Sequence, residues 1–197
     1  MRSEPVKRAI DVVGASLGLL AGALPLGVAA VAVCRTMGRP ILFTQIRPGR
    51  NGRLFTLYKL RTMRDGPGDD DDRITPLGNF LRSSSIDELP ELWNVLKGDM
   101  SLVGPRPLLV SYLDRYSDEQ ARRHEVRPGL TGLAQVSGRN LTTWDERLAL
   151  DVTYVDTWTI GGDLRIMART ILTVLRAEDV HAEGHVTMPE LPVPDGP

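Results

Sequence analysis

The stretch Arg82-Ser83-Ser84-Ser85-Ile86-Asp87-Glu88-Leu89-Pro90 is followed within twenty residues by Gly104-Pro105-Arg106-Pro107, so that two adjacent carboxylates lie between two arginines. This is equipment for bringing an anionic phosphate up to an anionic nucleophile. Arginines and a divalent cation cancel the repulsion that otherwise keeps a carboxylate oxygen away from phosphorus. The prolines on either side of Arg106 fix its backbone, which suits a guanidinium that must be aimed. The same acids also fit a structural role, because Ser85-Ile86-Asp87-Glu88 has the spacing of a capping box. Pro90 argues against it: proline belongs in the first helical turn, which moves the helix start to about Glu88 or Leu89. Asp87 then lies just outside the positive end of a helix, where an ionised carboxylate and an arriving phosphate are both favoured. On the residues alone, capping and catalysis stand level.

A second fixed turn, Arg127-Pro128-Gly129-Leu130-Thr131-Gly132, precedes Gln135 and Gly138-Arg139-Asn140. Its glycines allow close backbone approach, and Arg139 is of the type that pairs with a phosphate or nucleotide. No P-loop, dinucleotide fingerprint or Ser/His/Asp arrangement occurs. The acidic run Asp69 to Asp72 reads as a solvated loop tip rather than a cation site. Cys34 is the single cysteine and there are three histidines, which excludes an intrachain disulfide, speaks against zinc and fits a reducing compartment.

These groups need a scaffold, and 197 residues suffice for one domain with a real core. Net charge is −1, yet residues 1–66 carry 11 Lys+Arg against 3 Asp+Glu. A basic third that also holds the apolar segment fits a surface against anionic lipid. Low aromatic content, 5%, and near-neutral balance exclude a nucleic-acid binder.

Val12 to Cys34 is 23 residues without a charge, about 35 Å as a straight helix against a hydrocarbon core of about 30 Å. Pro25 near its middle, flanked by Gly22 and Gly27, predicts a break. Arg2, Lys7 and Arg8 precede the run, and Arg35 and Arg39 follow it, so the positive-inside rule puts both ends on the cytoplasmic side. A re-entrant helix-break-helix meets length, proline and charge together; a bent single-pass helix, a secretory signal and a buried core helix are the competing readings.

Beyond it, Ile41 to Ile46 and Leu54 to Leu60 read as the strands of a β-hairpin. Helical spacing marks Leu77 to Leu81, Leu89 to Leu96, Leu108 to Arg123, Trp144 to Trp158 and about Asp163 to Arg176. The fold class is therefore α+β and mostly helical. The expected organisation is a membrane hairpin over 1–36, a cytoplasmic domain over 37–177 and a tail over 178–197 whose prolines predict partial disorder.

The segments Lys7-Arg8-Ala9-Ile10-Asp11, Phe43 to Gly49, Tyr58-Lys59-Leu60-Arg61-Thr62-Met63, Asp87-Glu88-Leu89-Pro90, Asn94 to Ser101, Gly104 to Pro107 and Arg127 to Gln135 resemble, in order, the monotopic phosphoglycosyl transferases of bacteria. The tail segment Glu183-Gly184-His185-Val186-Thr187 is similar to the small single-domain members that begin glycan assembly. The resemblance implies a helical catalytic domain with amphipathic helices at the membrane interface. It implies transfer of a sugar 1-phosphate from a UDP-sugar to undecaprenyl or another polyprenyl phosphate, releasing UMP, in two steps through an aspartyl phosphate.

Carried over, Asp87 is the nucleophile and Glu88 holds Mg2+, with Asp87 as the alternative ligand. Arg82, Pro105, Arg106, Arg139, Lys59, Arg61 and Gln135 contact substrate. Lys7 and Arg8 start the membrane helix near the lipid headgroups and Pro25 breaks it, although Leu24 stands where the family often has serine. The location implied is the inner membrane with the catalytic domain on the cytoplasmic face; the oligomeric state stays open, a homodimer included. A nucleotide-sugar hydrolase and a membrane-anchored binding module without catalysis are the alternatives.

Overall fold

The computed structural model describes residues 3–67, 69–137, 143–176 and 190–192. Helix α1 spans Glu4–Met37, about 50 Å at 1.5 Å per residue. Pro5 fits its first turn, Arg35 its last, and Gly38, with φ of 75°, ends it by donating its N–H to the Cys34 carbonyl. The expected break at Pro25 does not interrupt it: α1 is helical throughout, with Pro25 inside. Packing explains the continuity, because one face of α1 rests on the domain along nearly its whole length. Asp11, Ala15, Gly22, Ala29 and Val33 are buried on that face. Gly14, Gly18 and Gly22, four residues apart, let it settle on Leu102, Leu92 and Leu89; a Cβ at Gly14 would fall 2.5 Å from Leu102 Cδ1.

The opposite face of α1 is apolar and bare, with Val13, Leu17, Leu20, Leu24, Val28 and Val31 all exposed. Only 11% of its most apolar window is buried, which rules out a core helix.

Strands β1 (Leu42–Pro48) and β2 (Leu54–Leu60) form the expected hairpin, antiparallel from Leu42 opposite Leu60 to Pro48 opposite Leu54. Asn51 and Gly52, both at positive φ, turn the chain between them. A short turn of helix α2 (Asp70–Arg73) occupies the acidic loop. It is followed by α3 (Pro76–Ser83), capped by Thr75 Oγ1 accepting from Gly78 N at 2.9 Å. A 3-10 turn, Ile86–Glu88, leads into α4 (Glu91–Lys97), which closes on Gly98 in the left-handed region.

The sequence reading missed a second sheet: β3 (Ser101–Val103) pairs in parallel with β4 (Gly129–Thr131). Gly129 must be glycine there, since a Cβ would fall 2.0 Å from Gly104 N. The single helix expected over Leu108 to Arg123 is instead two 3-10 turns, Val110–Arg115 and Arg122–Glu125, around α5 (Asp118–Ala121). Tyr116 is extended, and Ser117 starts α5 afresh with a capping box to Gln120, so the helical spacing is real but the chain restarts in mid-run. Helices α6 (Leu133–Ser137), α7 (Trp144–Thr157) and α8 (Ile160–Arg176) complete the domain.

The core is built on α1. Ala15 joins Phe55, Leu57, Leu92, Val95 and Met100; Ala29 and Val33 join Leu60 and Leu81. Burying each large side chain contributes about 1.5–3 kcal/mol, so α1 is a wall of the domain as well as an apolar exterior. Two further clusters centre on Tyr154, Trp158 and Ile166, and on Leu108, Tyr112 and Leu148. Part of the tail is packed against the last of these: Leu191 is buried there, with Arg115 bonded to its carbonyl and paired with Glu190 at 3.5 Å.

Candidate active site

Asp87 and Glu88 sit on the 3-10 turn between α3 and α4. Ser85, at φ of 56°, reverses the chain sharply and makes no capping bond with its side chain, so the capping-box reading of Ser85 to Glu88 fails. A non-glycine residue in the left-handed region is held only when its surroundings demand it. Here the reversal turns Ile86 into the core and brings Glu88 to Lys59 of β2.

Glu88 Oε1 accepts from Lys59 Nζ at 2.7 Å and from Arg106 Nη2 at 2.6 Å. Lys59 Nζ also lies 3.0 Å from Glu91 Oε1, an ion-pair distance outside hydrogen-bonding geometry. Arg82 Nε donates to Thr62 Oγ1 at 3.1 Å, leaving the guanidinium near enough to favour ionised Asp87. The positions of the cations are themselves supported. Pro105 accepts Gly129 N at 2.9 Å, and the Arg106 carbonyl accepts from Arg123 Nη2 at 2.7 Å. Arg123 is fixed in turn by a fully buried pair with Asp151.

The two adjacent carboxyls are driven apart. Burial, reinforced by the negative charge of Glu88, pushes Asp87 up to about 7 against the pull of Lys59, Arg82 and Arg106. Burial alone would raise Glu88 too, but Arg106 and Lys59 outweigh it and hold Glu88 well below the usual carboxylate range. Glu88 in turn is the main reason Arg106 is raised above its ordinary value. Burial and the flanking cations thus push the two carboxyls in opposite directions.

Among the described residues no three carboxylate, histidine or cysteine side chains form a ready-made metal cage. Asp87 and Glu88 do fit Mg2+, which takes one or two carboxylates together with substrate phosphate and water. Glu91 Oε1 is buried beside this corner, ion-paired with Lys59 at 3.0 Å but without a hydrogen bond.

The remaining residues singled out by sequence divide. Arg61 does not reach this corner: it is buried and clamps the end of α1, bonding the Met37 and Gly38 carbonyls, with Asp65 on its other nitrogen. Gln135 holds its side-chain oxygen beside Gly132, its amide atoms buried without partners. Arg139 falls outside the described residues. Lys7 and Arg8 are engaged within the protein rather than held out toward a headgroup. Lys7 pairs with Asp163 at 2.6 Å, and Arg8 caps α4 by bonding the Val95 and Leu96 carbonyls.

Sequence reasoning missed Glu91 and Asn94. Glu91 follows Glu88 by three residues, the spacing that puts side chains on one helical face. Asn94 is fully buried and pins α4 to β2 through the Tyr58 N–H and Thr56 carbonyl. Nothing in the local sequence distinguishes it from a surface asparagine.

The family model for bacterial sugar transferases matches residues 2–177. The chain is 52% identical to the uncharacterized sugar transferase EpsL of Bacillus subtilis, over 80% of this chain and 81% of that protein. It is 44% identical to the UDP-glucose:undecaprenyl-phosphate glucose-1-phosphate transferase of Caulobacter vibrioides, over 89% of this chain and 72% of the relative. It is also 39% identical to the undecaprenyl-phosphate galactose phosphotransferase of Salmonella typhimurium, covering 91% of this chain but 42% of that longer protein. A match that spans nearly all of the domain, acidic turn and arginines included, gives the site its setting: the chain belongs to the bacterial sugar transferase family.

Proposed function

We propose that this transferase moves a sugar 1-phosphate from a UDP-sugar to undecaprenyl phosphate in two displacements through Asp87. The observation that carries the reading is geometric: Asp87 and Glu88 share one 3-10 turn, on which Lys59 and Arg106 converge at Glu88 while Arg82 acts on Asp87. The names of the Caulobacter and Salmonella relatives supply the substrate classes.

In the first step an Asp87 oxygen forms a bond to the sugar-bearing phosphorus, and the bond from that phosphorus to the UMP oxygen breaks. In the second, a polyprenyl phosphate oxygen attacks the same phosphorus and the Asp87 carboxylate leaves. Arg82 and Arg106 neutralise the phosphate oxygens, and Lys59 keeps the corner cationic when substrate arrives. Bound Mg2+, held by Glu88 with Asp87 beside it, would supply further charge neutralisation on the diphosphate.

The proposed membrane placement rests on α1. One end is tied to the domain through Lys7 and Arg8, the other through Arg61. A helix with both ends fastened to the same polar domain favours a monotopic placement, its bare face in one leaflet and both ends on the cytoplasmic side. Phe43, Ile46, Phe80, Trp93, Leu164 and Ile171 are exposed apolar side chains as well. Single cysteines at residues 3 and 39 in a Cys34→Ala background should label from the same side of sealed vesicles; labelling from opposite sides overturns the topology.

The mechanism is tested by UMP release from detergent-purified protein with Mg2+ and a panel of UDP-sugars. The expected result is a burst of at most one UMP per enzyme without acceptor, continuous release on adding undecaprenyl phosphate, and neither with Asp87→Asn. Continuous release without acceptor identifies a hydrolase. Release that strictly requires acceptor, with no burst, overturns the covalent intermediate. No release from any donor favours a binding module.

A further inference from the structure

Glu91 is a buried carboxylate that the chemistry above leaves unused. It is 3% exposed in the first turn of α4, and its Oε1 has no hydrogen-bond partner although Lys59 Nζ is 3.0 Å away. The same ammonium directs its good bond to Glu88 Oε1, which already receives Arg106. One oxygen therefore takes two charged donors in good geometry, while the neighbouring buried Glu91 Oε1 has its ion pair with Lys59 but no hydrogen bond. Buried acceptors are almost always satisfied, so this imbalance calls for a physical reason.

The surrounding charges supply it. Asp87, Glu88 and Glu91 face Lys59, Arg82 and Arg106, with Arg47 also close enough to act on Glu91. A divalent cation arriving with a diphosphate adds little net charge, so the corner needs new partners rather than new charges. A metal bound at Glu88 Oε1 must displace one of the two donors that converge there, Lys59 or Arg106. Arg106 gains substrate phosphate as a replacement. Lys59 needs another carboxylate, and its flexible stem and three rotatable donors let it change partner with a small displacement.

We propose that Glu91 is a positioning residue that receives the Lys59 ammonium when Glu88 turns to a divalent cation, so that the Lys59 bond passes from Glu88 to Glu91 Oε1. This rests on the reading that Glu88 holds the metal. No covalent bond changes in the exchange. In Glu91→Gln the released ammonium meets a neutral amide, so Lys59 stays on Glu88 and competes with the cation.

The test is Mn2+ binding to the full-length protein in detergent, with UDP present, followed by electron paramagnetic resonance. Glu91→Gln is expected to bind Mn2+ roughly 10- to 100-fold more weakly, the usual cost of losing a supporting partner of a metal ligand. UDP affinity without metal should stay unchanged, and the Mg2+ concentration for half-maximal turnover should rise in parallel, with kcat largely recovered at saturating Mg2+. Glu91→Asp should restore part of the metal affinity, and it carries the test if Glu91→Gln fails to fold. Wild-type Mn2+ affinity in both variants, or a lowered melting temperature and kcat without a change in metal affinity, overturns the exchange. Wild-type protein that binds no Mn2+ with UDP overturns instead the reading of Glu88 as a metal ligand.

Discussion

Lys7, in the first turn of α1, and Asp163, in the first turn of α8, meet at 2.6 Å although 156 residues separate them in the chain. The ammonium also reaches the Val103 carbonyl at 3.0 Å and Tyr154 Oη at 3.2 Å, and Tyr154 donates to Asp163 at 2.9 Å. The Trp158 ring lies beneath it at 5.8 Å. The apolar helix is therefore not a detachable anchor, because its first turn is wired into the strand that precedes the Arg106 loop.

Removing one partner of this buried pair should destabilise the protein strongly. Lys7→Met leaves Asp163 charged and unpaired, at a cost of about 3–5 kcal/mol. Lys7→Met combined with Asp163→Leu should recover most of it. Denaturant unfolding in detergent measures these and Asp163→Leu alone; a double variant that loses the sum of the two single losses would show that the pair is not coupled.

The raised Asp87 value gives stability a pH slope of defined sign. Its ordinary value is 3.8 and its folded value about 7, so between them the folded protein keeps a proton that the unfolded chain has released. Stability contributed by this group is full below about 4 and declines as pH rises toward 7. In metal-free protein, Asp87→Asn should melt several degrees above wild type at pH 8, the gap closing toward pH 4. A gap that widens with acid would contradict the assignment.

Arg106 and Lys59 share one carboxylate oxygen, yet only Arg106 sits on a proline-fixed loop open enough to meet phosphate, its side chain 40% exposed. Arg106→Lys should keep an ion pair to Glu88 while losing the planar fork, lowering kcat/KM for UDP-sugar by about 10²–10³-fold. The melting temperature should change little. A loss confined to the polyprenyl phosphate KM would move Arg106 to the acceptor side.

Leu20 and Leu24, 75% and 77% exposed on the outer face of α1, should contribute to lipid rather than to the core. Leu20→Gln with Leu24→Gln is expected to shift the protein toward the soluble fraction in vesicle flotation. Detergent-solubilised stability should stay within about 0.5 kcal/mol of wild type, as for surface changes generally. A large stability loss would place these residues in an internal interface.

Legibility followed the range of the forces involved. The hairpin, α3, α4, α7 and α8 could be read because alternation, helical spacing and capping residues lie within a few positions of each other. The parallel pairing of β3 with β4 could not, since three-residue strands carry no pattern and their partner is 28 residues away. Pro25 illustrates the opposite error: proline disfavours a helix locally, and packing of α1 along the domain outweighs it.

The site divides in the same way. Residue type and order put two acids between two arginines, which left capping and phosphate chemistry level until the resemblance favoured the second. Only the tertiary structure decided which acid is pushed up and which is held down, because that depends on burial and on Lys59 and Arg106 arriving from other elements. It likewise showed that Arg61, expected at the substrate, and Lys7 and Arg8, expected near lipid headgroups, fasten α1 to the domain. A cation's role is set by the carboxylate or carbonyl that folding brings within about 3 Å, and that distance is not written in the order of residues.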